Sequence, residues 1–146
     1  MVRERKEAHM KTILLGYDDS EPSMRALIRS AEIAKAFGAS VHVTSVAPLI
    51  VGTPRSGGPY DPADPPSEHV KQLQHAQALL GHEGISATLE PAHGDPAEMI
   101  LEVADKIDAD LIVLGTNERP LLERALGMSV SGAVSRKAHR DVLIVH

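Results

Sequence analysis

Short runs of leucine and β-branched residues alternate along the chain with longer segments in which apolar positions recur with a helical period. Almost continuous apolar runs are typical of strands covered on both faces, and apolar positions at i, i+3, i+4 and i+7 are typical of helices with one buried face. The alternation predicts an α/β fold, in which crossover helices join the strands of a parallel sheet. The predicted strands are Thr12–Tyr17, Ser40–Val46, Ile85–Glu90, Leu111–Gly115 and Asp141–His146.

Capping residues mark the starts of the predicted helices. Ser20 is a candidate N-cap, and Asp95 followed by Pro96 supplies an N-cap and a proline at the first helical position. The third predicted strand is the weakest in apolar content, which favours an edge position for it. The helices are predicted to run from Ser20 to Gly38, from Ser67 to about Gly81, from Asp95 through Ala104, and from Met128 to Ala138.

Residues 48–66 have neither a strand nor a helix pattern and are dense in proline and glycine. A connection longer than about 12 to 15 residues is usually a lid, a binding loop or a disordered segment. Because this composition buries little apolar area, disorder or simple linkage is favoured, with a lid or binding loop as the alternative. The charged residues 1–10 are predicted to be a flexible tail, which leaves one domain over residues 11–146.

Composition narrows the range of functions. The 146 residues contain no cysteine, which excludes disulfides, thiolate metal sites and a cysteine nucleophile, and favours a reducing cytoplasm. No apolar run approaches the roughly 18 residues of a membrane span. The net charge is −5 and aromatic residues make up 2% of the chain, so no nucleic-acid partner is expected.

Ligands of open parallel α/β sheets bind outside the carboxyl ends of the strands, where the strand order switches. The Asp18 carboxylate, after the first strand, is a candidate acceptor for a ribose or adenine group. The N–H groups at the start of the helix after Ser129 are a candidate anion site. The alternative for the first loop is that Asp19 and Ser20 only cap a helix.

The sequence contains few signals for metal binding or catalysis. His69, His75 and His82 include no i, i+4 pair for zinc, so no metal site is expected and these side chains are expected to face solvent or a partner. His42 alternates with valines and is expected to be a packed or edge-strand residue. The phosphate-binding P-loop, dinucleotide and serine-hydrolase motifs are missing from the sequence, so no enzyme activity is expected.

Three stretches resemble the universal stress protein family. Residues 11–46, KTILLGYDDSEPSMRALIRSAEIAKAFGASVHVTSV, resemble the opening strand, the aspartate-containing turn and the first helix of these proteins. Residues 94–116, GDPAEMILEVADKIDADLIVLGT, resemble the third helix and fourth strand, and residues 129–146 resemble the last helix and strand. The resemblance implies one doubly wound, Rossmann-like domain with strand order 3-2-1-4-5, helices on both faces, and frequent homodimers.

Members of this family either bind ATP or do not, and those that bind it share a glycine signature: Gly, two residues, Gly, nine residues, then Gly followed by Ser or Thr. Carried over to this chain, the first glycine is Gly115, whereas Glu118 and Met128 occupy the second and third positions. Gly127 lies one position early, and Ser129 follows. The resemblance therefore implies a degenerate ATP-binding loop, in which slow ATP hydrolysis follows only if ATP binds.

Glycines let the backbone approach a polyphosphate closely, so their loss disfavours a triphosphate. Glu118 adds a like charge, which costs about 1 to 4 kcal/mol at a separation of ~4 Å. The adenosine half is better kept, although Asp19 replaces the glycine usual in that turn. The candidate nucleotide-binding residues implied by the resemblance and by the helix start are Asp18, Val46, Leu114, Gly115, Thr116, Gly127, Ser129, Val130 and Ser131.

The last predicted strand is strongly apolar and is expected at a sheet edge, where backbone groups are unpaired unless something covers them. The resemblance implies that the same strand of a second subunit covers it across a two-fold axis. Ordinary packing in the sheet core is the alternative for about half of its residues. The candidates for the homodimer interface are Val142, Leu143, Ile144 and Val145.

The sequence therefore favours a cytoplasmic universal stress protein that acts as a dimeric stress-response binding or interaction module toward an unidentified protein partner. The alternative is an adenine-nucleotide sensor for ATP, AMP or cAMP with at most slow ATPase activity. The two hypotheses predict the same fold. They differ in whether the loop still accepts a phosphate with Glu118 and Met128 in place of the signature glycines. If a nucleotide binds, a less charged one such as AMP, cAMP or adenosine is expected.

Overall fold

The computed structural model describes residues 10–49, 65–116 and 129–146. In these ranges the elements are β1 Thr12–Gly16, α1 Glu21–Phe37, β2 Ser40–Ala47, α2 Pro66–His82, β3 Thr88–His93, α3 Pro96–Ile107, β4 Leu111–Gly115, α4 Val130–Lys137 and β5 Asp141–Val145. The strands form one parallel sheet in the order β3-β2-β1-β4-β5. This confirms the α/β class and the strand order that the resemblance implies.

Helices cover both faces of the sheet because successive strand residues point to opposite sides. Ile13 and Leu15 pack with α1 and α2, whereas Leu14 packs with α3 and α4, and all three side chains are fully buried. In β4, Val113 and Ile112 divide between the two faces in the same way. The carboxyl ends of the central strands are thereby held between two helical layers.

The predicted caps of α1 and α3 are confirmed. The Ser20 side chain accepts a hydrogen bond from the Ser23 N–H at 3.3 Å, and the Asp95 carboxylate accepts one from the Glu98 N–H at 3.0 Å. Each bond satisfies an N–H that has no partner within the helix. Helix α1 ends at Phe37 and is followed by the C-cap Gly38, whose φ of 68° lies in the left-handed region that glycine adopts without strain.

The third strand starts later than the sequence pattern predicts. It covers Thr88–His93 rather than Ile85–Glu90, because its pairing with β2 begins at Thr88. Ile85 instead follows the turn after α2 and packs against the core. Pro91 is tolerated within β3 because this is an edge strand, as its weak apolar content predicts.

The starts of two helices also differ from the prediction. Pro65 occupies the N-cap position of α2 and makes no side-chain hydrogen bond there, so the prediction that Ser67 caps this helix is wrong. An early proline is tolerated because the first helical N–H groups have no partner in any case. Helix α4 begins at Val130 with Ser129 as its N-cap and ends at Lys137.

His42 is packed within the sheet, as predicted. It lies on β2, and its Nδ1 is 3.1 Å from Glu90 Oε1, while Lys106 Nζ is 3.1 Å from Glu90 Oε2. Burial alone would raise the pKa of Glu90, but the hydrogen bonds and charges of Lys106 and His42 outweigh burial and lower it. This cluster ties β2, β3 and α3 together.

Several predicted features lie outside the described residues. They are the tail before Met10, residues 50–64 of the long connection, and the loop positions Glu118, Gly127 and Met128. Within the described ranges, no helix is both long enough and apolar enough to cross a membrane.

Candidate functional site

A cavity of about 360 Å³ opens at the carboxyl edge of the sheet. The ends of β1, β2 and β4, the first turns of α1, α3 and α4, and one face of α2 line it. The chain turns from one half of the sheet to the other between β1 and β4. This switch point is the usual ligand site of the architecture, and the volume suits a small molecule.

The structure brings together most of the residues singled out in the sequence. Thr116 and Ser129 are not among the residues that line the cavity, and both make hydrogen bonds within the fold. The Thr116 N–H donates to the Val145 carbonyl at 2.8 Å, and Ser129 Oγ accepts from the Gly132 N–H at 3.2 Å. Gly127 is outside the described residues. Those that line the cavity are Asp18, Val46, Leu114, Gly115, Val130 and Ser131.

Asp18 lines this cavity and is exposed. Its Oδ1 accepts hydrogen bonds from the N–H and the hydroxyl of Ser20. Its Oδ2 has no hydrogen-bond partner among residues 10–49, 65–116 and 129–146. One oxygen therefore shapes the turn, and the other can accept hydrogen bonds from a ligand.

The turn at Asp19 keeps the backbone geometry that normally requires glycine. The φ of Asp19 is 63°, in the left-handed region, which Asp and Asn enter at less cost than other residues with a Cβ. Its Oδ1 lies 2.7 Å from Nδ1 of His75 on α2. The alternative interpretation was that Asp19 and Ser20 only cap α1. Ser20 is the N-cap, whereas Asp19 contacts His75 and so joins the turn to α2.

Tyr17 contacts the same histidine, His75. Its hydroxyl is 3.3 Å from His75 Nδ1, and the two rings meet edge to face with centroids 6.2 Å apart. Burial, followed by the hydrogen bond to Asp19 and the charges of Asp19 and Asp18, raises the pKa of the Tyr17 phenol far above its ordinary value. Tyr17 therefore stays neutral and serves as a polar wall of the cavity.

A buried polar cluster that sequence reasoning missed lines the end of the cavity above β2. Ser45 Oγ lies 2.6 Å from His69 Nδ1 and 2.6 Å from Gln72 Oε1. The expectation that His69 faces solvent or a partner is wrong, since this residue is buried. The available signal was the i, i+3 spacing of His69 and Gln72 on one face of a helix, opposite a strand end that carries a serine.

Gly115 is required by packing. A Cβ on this residue would lie 2.4 Å from the carbonyl carbon of Pro22 and 2.7 Å from the Ser23 nitrogen. Both are backbone atoms at the start of α1, so they cannot yield as a flexible side chain would. The first glycine of the signature thus lets α1 approach the end of β4 closely.

The first turn of α4 forms the opposite end of the cavity. Val130 and Ser131 line it, and their N–H groups have no partner within the helix, whereas the Gly132 N–H donates to the Ser129 cap. These groups and the helix dipole favour an anion. This end of the cavity is therefore suited to a phosphate group.

The part of the cavity wall that the structure describes carries no Lys or Arg side chain. Asp18 is the only Asp, Glu, Lys or Arg among the cavity-lining residues that the structure describes. The same ranges contain no group of three or more His, Asp or Glu residues that could hold a metal ion. Among the described lining residues, an anion would therefore meet no Lys or Arg side chain, and the N–H groups of the first turn of α4 are its candidate donors.

Comparison with known proteins points to one family. The sequence model of the universal stress protein family matches residues 9–146. A universal stress protein of Methanocaldococcus jannaschii is 36% identical over 92% of this chain and 81% of its own length. Among solved structures, a universal stress protein in complex with cAMP is 29% identical, with a TM-score of 0.75 over 95% of this chain and 98% of that chain. The universal stress protein from Archaeoglobus fulgidus in complex with dAMP is 25% identical, with a TM-score of 0.71 over 94% of this chain and 98% of that chain.

Proposed function

Because the chain belongs to the universal stress protein family, we propose that it is a stress-response binding module whose cavity takes an adenine nucleotide of low charge, such as cAMP or AMP. The observation that carries the proposal is the cavity at the carboxyl edge of the sheet, which combines the Asp18 carboxylate with the open first turn of α4. The cAMP and dAMP complexes of two similar proteins support the choice of ligand.

The order of the strands matches the order of the parts of a nucleotide. Adjacent strands lie about 4.8 Å apart, so the carboxyl ends of β2 and β4 are roughly 10 Å apart with β1 between them. In our proposal the base lies above β2 near Val46, and Asp18 after β1 binds the ribose hydroxyls. The phosphate then lies at the first turn of α4, beyond Gly115.

The charge balance favours a monophosphate over ATP. The lining residues that the structure describes offer one carboxylate and no Lys or Arg, and residues 117–128 contain as many acids, Glu118 and Glu123, as arginines, Arg119 and Arg124. A triphosphate brings several negative charges close to these groups, whereas cAMP brings one. In the proposed function, the loss of signature glycines from the ATP-binding loop is therefore one reason why a monophosphate binds better than ATP.

Replacing Asp18 with asparagine is expected to weaken cAMP binding about 10- to 100-fold. Asparagine keeps the Oδ1 acceptor for Ser20 but loses the second carboxylate oxygen, and a hydrogen bond to a charged group contributes about 1.5 to 3 kcal/mol. Isothermal titration of the wild type and of Asp18→Asn with cAMP, AMP, adenosine and ATP measures the effect. Asp141→Asn, at the opposite edge of the sheet, is the matched control and should bind normally. Absence of adenine-nucleotide binding by the wild type would refute the proposal.

We also propose that the protein is a homodimer in the cytoplasm, joined through β5. β5 is an edge strand, and Val142, Leu143, Ile144 and Val145 are each only partly buried. Val142, Leu143 and Val145 pack against the two core clusters, whereas Ile144 belongs to neither among the described residues. Ile144 is thus the residue of β5 most available to a second copy of the chain.

The change Ile144→Lys is expected to raise the dimer dissociation constant roughly 100-fold, because an unpaired charge buried in an interface costs about 3 kcal/mol. Sedimentation equilibrium measures this constant. Phe37→Lys replaces a side chain that is 61% exposed and lies on α1, and it should leave the association unchanged. A wild type that is monomeric at micromolar concentration would rule out this interface.

A further inference from the structure

The polar cluster at the β2 end of the cavity has a defined direction of hydrogen bonding. The Ser45 hydroxyl carries one hydrogen and donates it to Gln72 Oε1 at 2.6 Å. Since that hydrogen is used, the contact with His69 at 2.6 Å is a bond in which His69 Nδ1–H donates to Ser45 Oγ. With His69 as the donor to Ser45, the Gln72 amide oxygen is the atom held against the Ser45 hydroxyl.

An amide held in this way still has groups to offer. The Gln72 oxygen has a second lone pair, and the amide nitrogen has two hydrogens. Gln72 is partly exposed and lines the cavity, whereas Ser45 and His69 are 3% and 8% exposed. Ser45 and His69 thus act as supports, and Gln72 is the member that reaches a ligand.

We propose that Gln72 is the specificity-determining residue of this cavity and recognises the N6 and N7 edge of adenine. The proposal rests on the proposed function and names the group that selects the base. A glutamine amide pairs with adenine by accepting from N6–H and donating to N7. Ser45 and His69 hold the amide in the orientation that this pairing needs.

The same orientation works against guanine. The corresponding edge of guanine presents two acceptors, O6 and N7, so its O6 would meet the Gln72 oxygen with no hydrogen between them. Turning the amide over would bring its NH₂ group against the Ser45 hydroxyl, and the Ser45 hydrogen would keep an acceptor only if His69 moved its proton from Nδ1 to Nε2. A site built to hydrogen-bond one set of groups discriminates strongly when a polar group is left unpaired.

The test is the ratio of cGMP to cAMP dissociation constants, measured by isothermal titration on the full chain. For the wild type we expect a preference for cAMP of about 10- to 100-fold. Gln72→Leu should reduce the ratio to near one, mainly by weakening cAMP. Ser45→Ala keeps Gln72 but frees its amide to turn over, so the ratio should fall because cGMP binding improves. Gln74→Leu, an exposed glutamine of the same helix, should leave the ratio unchanged.

The outcomes separate this inference from the proposed function. A wild type that binds cAMP and cGMP equally, or a Gln72→Leu variant that keeps the wild-type ratio, overturns the inference and leaves the nucleotide site standing. A wild type that binds neither nucleotide overturns both. If Gln72→Leu proves unfolded by circular dichroism, Ser45→Ala decides, because an unchanged ratio there removes the orienting role on which the inference depends.

Discussion

Replacing Gly115 with alanine will lower the free energy of unfolding by about 3 kcal/mol, at the upper end of the usual cost of overpacking. The added Cβ would lie 2.4 Å and 2.5 Å from the carbonyl carbon and oxygen of Pro22, and 2.7 Å from the Ser23 nitrogen. These backbone atoms belong to the first turn of α1, whose cap at Ser20 and packing against β4 hold them in place. Relief therefore requires the helix to move away from the sheet.

Thermal unfolding followed by circular dichroism measures this effect, and a fall in Tm of about 10 °C is expected. Gly81→Ala is the control, because a Cβ at Gly81 meets nothing within 4 Å. That change is expected to stabilise the protein by about 0.5 kcal/mol, the usual advantage of alanine over glycine within a helix. Wild-type stability in Gly115→Ala would show that the contact with α1 does not constrain residue 115.

The same variant separates two roles for this glycine. If packing is the reason for Gly115, the loss of stability occurs without nucleotide. If its main role is to admit a phosphate, Gly115→Ala should keep its stability and lose cAMP affinity. The close backbone contacts favour the first role.

The double change Glu118→Gly and Met128→Gly will raise the affinity for ATP about 10- to 100-fold. The expectation rests on the sequence, where these residues replace two glycines of the signature. Removing a like charge near a polyphosphate gains about 1 to 4 kcal/mol, and glycine admits a closer backbone approach. Isothermal titration with ATP in magnesium buffer measures the gain.

Two comparisons make this result specific. Glu118→Gln removes the charge alone, so it should recover only part of the gain for ATP. The affinity for cAMP should change little in the double variant, because a ligand with one negative charge is repelled less by Glu118. Micromolar binding of ATP by the wild type would contradict the expectation, since the loop would then accept a triphosphate without the glycines.

The elements whose signals are local could be predicted from the sequence alone. The apolar runs of β1 and β4 mark strands covered on both faces, because a parallel sheet buries both of its sides. Ser20 and Asp95 mark helix starts because a cap bonds to an N–H three residues away. The resemblance supplied the strand order, which no local pattern contains. Asp18 followed from the rule that ligands bind at the carboxyl ends of strands.

The predictions from the sequence were wrong where the local signal was weak or was compatible with more than one structure. The third strand covers Thr88–His93 rather than the predicted Ile85–Glu90. As an edge strand it pairs with β2 alone, so its bounds depend on which of its residues pair with β2. Ser67 was predicted to be a cap, but serine also occurs within first turns, and Pro65 occupies the N-cap position instead. Local composition could not choose between these alternatives.

The contacts of the polar groups around the cavity depend on how the elements pack together. His69 and Gln72 look like surface residues of a helix until α2 packs against β2 and brings them to Ser45. Gly115 looks like a phosphate-binding glycine until the start of α1 is seen against it. Caps and apolar periods arise between residues that are close in the chain, so the sequence contains them. The polar cluster of Ser45, His69 and Gln72 and the contact at Gly115 join residues far apart in the chain, so they exist only once the sheet and its helices have packed.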